Sequence, residues 1–352
     1  MTTSSSRPLR VGVIGTGFGA TVHVPAFKAS EHFEVVAVVS RRREHAERVA
    51  REAGIGWCSD DYRAMLREVD LDAVSISAPG GLHHEMVLAA AGAGRHILCE
   101  KPFATSVAEG REMLEAVCEA GVGHAINHEF RMIPARQAFK RMVDEGFLGT
   151  PFDVRALLDT GMLLNPSRGW SWWSDRAQYG GMMQAMSSHL IDFLLWTFGD
   201  IDSLSGRVDT FIRSRRAEDG SLREVTSDDQ NAALLRFASG ATGLLHVSGV
   251  SRAQRSLVEV HGSAGSLSID SNKLSRATEP GTFEPVDVAE SQGPVQLMTA
   301  YLSHVARVFR GESDPIVATF EQGLRVQTVM DAIHQSSAEG GVRVDIVQPV
   351  TA

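Results

Sequence analysis

Short apolar runs alternate with amphipathic stretches through the first third of the chain. Leu9–Ile14 is apolar and stops at Gly15, and Phe33–Val39, 73–77, His96–Cys99 and 123–127 have the same character. Runs this short, rich in branched residues and bounded by Gly or Pro, are the pattern of strands buried on both faces. Helical stretches separate them: the residues after the first glycines to about Ala29, then 42–53, 85–93 and Val107–Ala120. Gly54 directly after one of these is a natural helix end. Repeated strand–helix–strand units predict a parallel sheet with helices on both faces. Beyond residue 150 the pattern changes, and 152–158, 203–212, 231–237, 241–248 and 257–262 read as strands.

The junction after the first strand carries chemistry. Gly15, Thr16, Gly17, Phe18, Gly19 and Ala20 form a GxGxxA loop that opens a helix. Gly15 allows the tight turn, Gly17 lets backbone N–H groups approach a pyrophosphate, and the small Ala20 lets helix and strand pack closely. This context predicts dinucleotide binding. At the end of the second strand, an acidic residue usually grips the ribose of NAD. Here Ser40 stands there, followed by Arg41, Arg42 and Arg43. A serine beside a guanidinium suits a 2′-phosphate, so NADP is expected ahead of NAD.

Composition narrows the class. The 352 residues are 43% hydrophobic and 22% charged, ordinary values for a chain of about two globular domains. The net charge of -9 and the absence of a basic stripe argue against nucleic acid. The N-terminus has no apolar core of a signal peptide, and the apolar runs are too short to span a membrane. Cys58, Cys99 and Cys118 are odd in number and lack CxxC spacing, so neither a disulfide framework nor a metal site is expected. The cytoplasm is the expected location.

At Cys99-Glu100-Lys101-Pro102 the sequence becomes more specific. Glu-Lys-Pro after the His96–Cys99 strand, together with GxGxxA after the first, resembles the Gfo/Idh/MocA oxidoreductases. Ser77-Ala78-Pro79 through His83 and Glu85 resembles another family segment, with Gly80 where Asn is usual. His23, Phe130-Arg131, Leu148-Gly149-Thr150-Pro151, the stretch from Gly180-Gly181 to His189 and Asp192, and Ala338-Glu339-Gly340-Gly341-Val342 extend the likeness over nearly the whole chain. It implies an α/β protein: a doubly wound Rossmann domain over 7–128 and a C-terminal α/β domain over 129–352 with a largely antiparallel open sheet. The second domain would bind substrate and assemble a homodimer or homotetramer.

The resemblance also implies roles. Ser77, Ala78, Pro79, His83, Glu100 and Lys101 would border the dinucleotide, and Lys101 and His189 would be catalytic. Moving a hydride from a secondary alcohol requires a group to handle the hydroxyl proton. Lys101 follows a strand whose carboxyl end faces the crevice of such a sheet, and His189 opens an apolar helix, where Asp192 at i+3 shares its face. His128, Arg131, Trp170, Trp173 and Gln184 are candidate substrate contacts, with the tryptophans suited to stacking on sugar C–H faces. Many family members carry an Asp four residues before the histidine, where this chain has Ala185; Gln184, Ser187 or Ser188 are the available neutral substitutes. The expected activity is hydride transfer between NAD(P) and a sugar, polyol or related small molecule. Transient redox chemistry on a retained cofactor, giving glycoside cleavage or epimerisation, and a non-enzymatic nucleotide-binding module are the alternatives.

Overall fold

A computed structural model describes residues 7–347. The chain separates into two compact units. The first runs to Met132 and also takes Gln292–Leu324; the second comprises Ile133–Ser291 and the residues from Arg325 onward.

The first unit holds six parallel strands: β1 (Leu9–Ile14), β2 (Phe33–Val39), β3 (Trp57–Ser59), β4 (Ala73–Ile76), β5 (His96–Cys99) and β6 (His124–Ile126). Their order is β3-β2-β1-β4-β5-β6. The succession reverses direction between β1 and β4, where sheets of this kind open a crevice at the strands' carboxyl ends. Alternate residues feed two buried clusters. Ile14, Ile76, Ile97, Cys99 and Ile126 belong to one, and Val11, Val13, Leu98 and Ala125 to the other. This explains why the strands read as unbroken apolar runs.

One strand more is present than the apolar runs predict. β3 and the following helix Tyr62–Glu68 lie in 57–68, where three residues give too little periodicity to see. The second cluster is completed from far along the chain: Met298, Tyr301, Leu302, Val305 and Phe309 of the helix Pro294–Phe309 are buried in it. The Tyr301 hydroxyl donates to the Ile126 carbonyl at 2.8 Å and accepts from the Ala318 N–H at 2.9 Å.

The second unit is built on β7 (Pro151–Asp159), β8 (Ile201–Asp209), β9 (Ser214–Arg216), β10 (Leu222–Glu224), β11 (Gln230–Phe237), β12 (Thr242–Ser248), β13 (Arg255–Gly262), β14 (Ser266–Asp270), β15 (Lys273–Ala277), β16 (Glu284–Val286) and β17 (Val344–Asp345). Nine of these form one sheet in the order β16-β15-β14-β13-β7-β12-β11-β8-β17, while β9 and β10 pair separately. Every neighbouring pair is antiparallel except β7 and β12.

The two faces of this sheet differ. The cross-strand row Gly206, Ala233, Leu245, Ala156, Val258 points inward. A Cβ at Gly206 would stand 2.9 Å from Ile333 of the helix Phe320–Ala338, so that helix lies close on this face. The adjacent row Ser205, Leu234, Leu244, Arg155, Glu259 points outward, and Leu234 and Phe152 are 64% and 56% exposed. Among the described residues, no helix is long and apolar enough to cross a membrane.

Candidate active site

The glycine loop is shaped by close backbone packing. Gly15 has φ +107°, and a Cβ there would stand 2.2 Å from the Ser77 carbonyl oxygen, so only glycine fits. Gly17 is the opposite case: a Cβ there would meet nothing within 4 Å. The chain then enters a π-helical turn, Gly19–His23, before the helix Val24–Ala29. The Gly15 N–H donates to Val39 and the Ser77 N–H to Ile14, tying the ends of β1, β2 and β4 together. Thr16 and Ser40 share a hydroxyl hydrogen bond of 2.7 Å. Ser40 is buried by this contact, Arg41 is exposed, and Arg43 is engaged by Glu47 and Asp60.

Two buried polar atoms lie without a hydrogen-bond partner at the carboxyl ends of the strands on either side of β5: Ser77 Oγ after β4 and Asn127 Oδ1 after β6. A buried polar atom left unpaired costs about 1–3 kcal/mol, so such atoms point to a polar ligand. An open Gly17 and two orphaned acceptors along the crevice edge fit a dinucleotide.

Glu100 is the hub under Lys101. It is buried, and its Oε1 lies 2.8 Å from His23 Nε2 and accepts the Asn127 amide at 2.6 Å. Its Oε2 accepts the backbone N–H of Lys101 at 3.2 Å. Burial pushes the carboxyl up, but the contacts with His23, Lys101 and Asn127 hold it below its ordinary value. Lys101 itself is half-buried. His83 is fully buried, with Nδ1 and Nε2 3.0 and 2.9 Å from the carbonyl oxygens of Pro102 and Ala78. Burial lowers its basicity despite those carbonyls. The ring thus packs between the loop after β4 and the one after β5, and as a neutral imidazole it donates to one of the two carbonyls at a time. His128 and Arg131 are also buried, and the Arg131 guanidinium donates to the Ile316 carbonyl at 3.1 Å.

In the second unit, a π-helical turn, Met183–Ser187, leads into the helix Ser188–Phe198, which carries the buried His189 and Asp192. Ala185 sits in that turn. Of the neutral neighbours, Ser188 spends its hydroxyl on the Gln184 carbonyl at 2.8 Å, and Ser187 donates to Asn231 Oδ1 at 2.8 Å. Gln184 Oε1 is buried with no hydrogen-bond partner, so its side chain is the one left to address a ligand.

The turn is pinned from below by Asp228. Its Oδ2 accepts the Met183 N–H at 2.9 Å and the Asn231 amide at 3.0 Å. Burial pushes this carboxyl up to about 7 against those hydrogen bonds. Asp228 also explains one of the paired glycines: a Cβ at Gly181 would stand 2.1 Å from its Oδ1, and one at Gly180 would stand 2.4 Å from the Trp173 carbonyl oxygen. The charge pattern does not reveal Asp228, because an Asp-Asp pair before a strand reads as a solvated turn.

The tryptophans divide. Trp170 donates its indole N–H to the Glu224 carbonyl at 2.8 Å and lies under Arg223. Trp173 lies under Arg168, edge-on to Trp172, and lines a cavity with Arg215, Ser227 and Asp228. Asn127 and Asp228 are the site residues that sequence reasoning missed. Asn127 had a signal, since it follows β6 as Ser77 and Glu100 follow β4 and β5.

Cys118, His124 and Glu321 have potential metal-ligand atoms within 4.8 Å of one another. However, His124 Nδ1 accepts the Phe320 N–H, the reverse of the outward donation that usually orients a metal-bound imidazole.

Residues 9–128 match the family model described as an oxidoreductase family with an NAD-binding Rossmann fold, and residues 136–268 match the GFO/IDH/MocA C-terminal domain. An uncharacterized oxidoreductase of Synechocystis sp. is 31% identical over 274 residues, which covers 77% of this chain and 74% of that protein. The chain belongs to the Gfo/Idh/MocA oxidoreductase family. Like its relatives in that family, it is an oxidoreductase with an NAD-binding Rossmann fold. Another Gfo/Idh/MocA relative, levoglucosan dehydrogenase of Pseudarthrobacter phenanthrenivorans, is 28% identical over 283 residues, covering 74% of this chain and 73% of that protein. A solved structure of levoglucosan dehydrogenase in complex with NADH and levoglucosan superposes with a TM-score of 0.89 at 25% identity, covering 97% of this chain and 100% of that chain.

Proposed function

We propose that this oxidoreductase moves a hydride between a nicotinamide dinucleotide and a secondary alcohol or ketone of a sugar or polyol. The observation that carries the reading is topological. The open glycine loop follows β1 and Lys101 follows β5, and only β4, ending at the unpaired Ser77 hydroxyl, separates them. The nicotinamide supplies hydride chemistry when bound. The chain's task is to hold the reacting hydroxyl and manage its proton. The Lys101 ammonium donates to the substrate oxygen and stabilises its developing negative charge. His189 accepts the hydroxyl proton in oxidation and returns it in reduction. Gln184, whose side-chain Oε1 has no partner of its own, takes the place of a carboxylate at Ala185 as a neutral acceptor for a second substrate hydroxyl. Trp173 offers a stacking face.

NADP is the preferred dinucleotide in this reading. Ser40 is neutral, its hydroxyl is turned onto Thr16, and the exposed Arg41 beside it suits a 2′-phosphate. Calorimetric titration checks this: NADPH should bind more tightly than NADH, and equal or tighter NADH binding overturns the preference.

The function itself is tested by following nicotinamide absorbance with NADP+ or NAD+ across a panel of anhydrosugars, glycosides and inositols. Cofactor reduction that disappears in Lys101→Ala supports the reading. Cleavage or epimerisation with no net absorbance change supports transient redox chemistry instead, a reading that the neutral Ala185 keeps open.

A further inference from the structure

A continuous line of contacts runs through the first unit from the glycine loop to Lys101. Phe18, on the loop, stands edge-on to the His23 imidazole with ring centroids 5.6 Å apart. His23 closes the π-helical turn and is fully buried. Its Nδ1 meets Ser75 Oγ at 2.7 Å, and its Nε2 meets Glu100 Oε1 at 2.8 Å. The other Glu100 oxygen takes the Lys101 N–H. A neutral imidazole satisfies both contacts at once, donating from Nε2 to the carboxylate and accepting the Ser75 hydroxyl at Nδ1.

This line is stiff for a physical reason. A buried carboxylate that loses one of its donors is left with an unpaired charge in a low dielectric, which costs far more than a surface hydrogen bond. Glu100 therefore moves with His23, and the backbone of Lys101 moves with Glu100. The π-helical turn that ends at His23 begins at Gly19, inside the loop that the proposed function assigns to the dinucleotide pyrophosphate. Such single turns are easily remodelled and often mark functional sites.

We propose that His23 and Glu100 form a positioning pair that couples the glycine loop to Lys101, so that seating a dinucleotide on the loop sets the placement of the lysine side chain. The proposal rests on the reading that the loop binds a dinucleotide and that Lys101 serves the reaction.

ADP-ribose tests it in the intact protein. It carries the pyrophosphate but lacks the nicotinamide ring, so it does not shield Lys101 directly. Binding is measured by calorimetry, fold by thermal melting, and Lys101 placement by the rate of its acylation in a short acetic anhydride pulse, read by peptide mass spectrometry. In the wild type, saturating ADP-ribose should change the Lys101 rate by at least about fivefold, the low end of ordinary site-to-site coupling. His23→Gln places its amide nitrogen near the imidazole Nε2 and should keep the response. His23→Asn reaches only the Nδ1 position and should lose it while still binding ADP-ribose. Glu100→Gln, which keeps the core filled, should also lose it if His23→Asn fails to fold. The proposal is overturned if His23→Asn or Glu100→Gln responds like the wild type, or if the wild type binds ADP-ribose and Lys101 does not respond. If the wild type binds no ADP-ribose, the dinucleotide reading itself fails and the coupling falls with it. The enzyme's kinetics add a second readout: His23→Asn should lower kcat with its effect on KM for the dinucleotide restored by His23→Gln.

Discussion

Asp228 and His334 are both titratable groups displaced by burial, and they act on stability in opposite pH ranges. The Asp228 carboxyl is raised to about 7, so folding favours its protonated form. Its contribution is complete below its ordinary carboxylate value and is lost as pH rises towards 7. Asp228→Asn keeps an oxygen for the Met183 N–H and removes the charge. It should therefore melt higher than the wild type at pH 8 and gain nothing at pH 4, with a ceiling of about 4 kcal/mol set by the size of the displacement. His334 is lowered to about 4, chiefly by burial and secondarily by Arg176. It folds neutral, so its contribution is lost as pH falls from about 6.5 towards 4. Lys101→Ala should lower kcat by about 10²-fold or more while leaving the melting temperature near that of the wild type, because the side chain is only half-buried. Lys101 could be singled out from its place after a strand in a specific tripeptide. Asp228 could not, since only the folded chain brings it beneath residues 45 positions earlier.

The glycine loop separates two uses of the same residue type. Gly15 is required by the fold, and Gly17 leaves room for a ligand. Gly15→Ala should cost about 1–3 kcal/mol in backbone strain and contact and should lower the melting temperature. Gly17→Ala should melt like the wild type and bind the dinucleotide at least about tenfold more weakly, a loss of roughly 1.4 kcal/mol. Elements with strong local signals were legible in the same way. The helix Val107–Ala120 is bounded by Ser106, whose hydroxyl accepts the Glu109 N–H, and by Gly121 in the left-handed region. The pair β9 and β10 was hidden because Leu222, Arg223 and Glu224 are all exposed, so no alternation marks a buried face. The short β3 lay below the length at which periodicity exists.

For the whole molecule, we infer that the outward face of the nine-stranded sheet is where copies of this chain assemble. The exposed Leu234 lies beside Leu244 in the row that continues to the Arg155–Glu259 pair. Exposed apolar residues on a continuous sheet face mark an interaction surface. Light scattering should give a dimer or tetramer, and Leu234→Lys should shift it towards monomer without changing the fold.

Neither unit is a continuous stretch of chain. The first needs the helix Pro294–Phe309 to close a core that begins at β1, and the second needs the helix Phe320–Ala338 and β17 against strands made more than a hundred residues earlier. On the ribosome, then, neither core can be sealed until residues beyond Ser291 have been made. A chain cut short after Ser291 lacks the pieces that close both cores and should be cleaved by a protease far faster than the full chain.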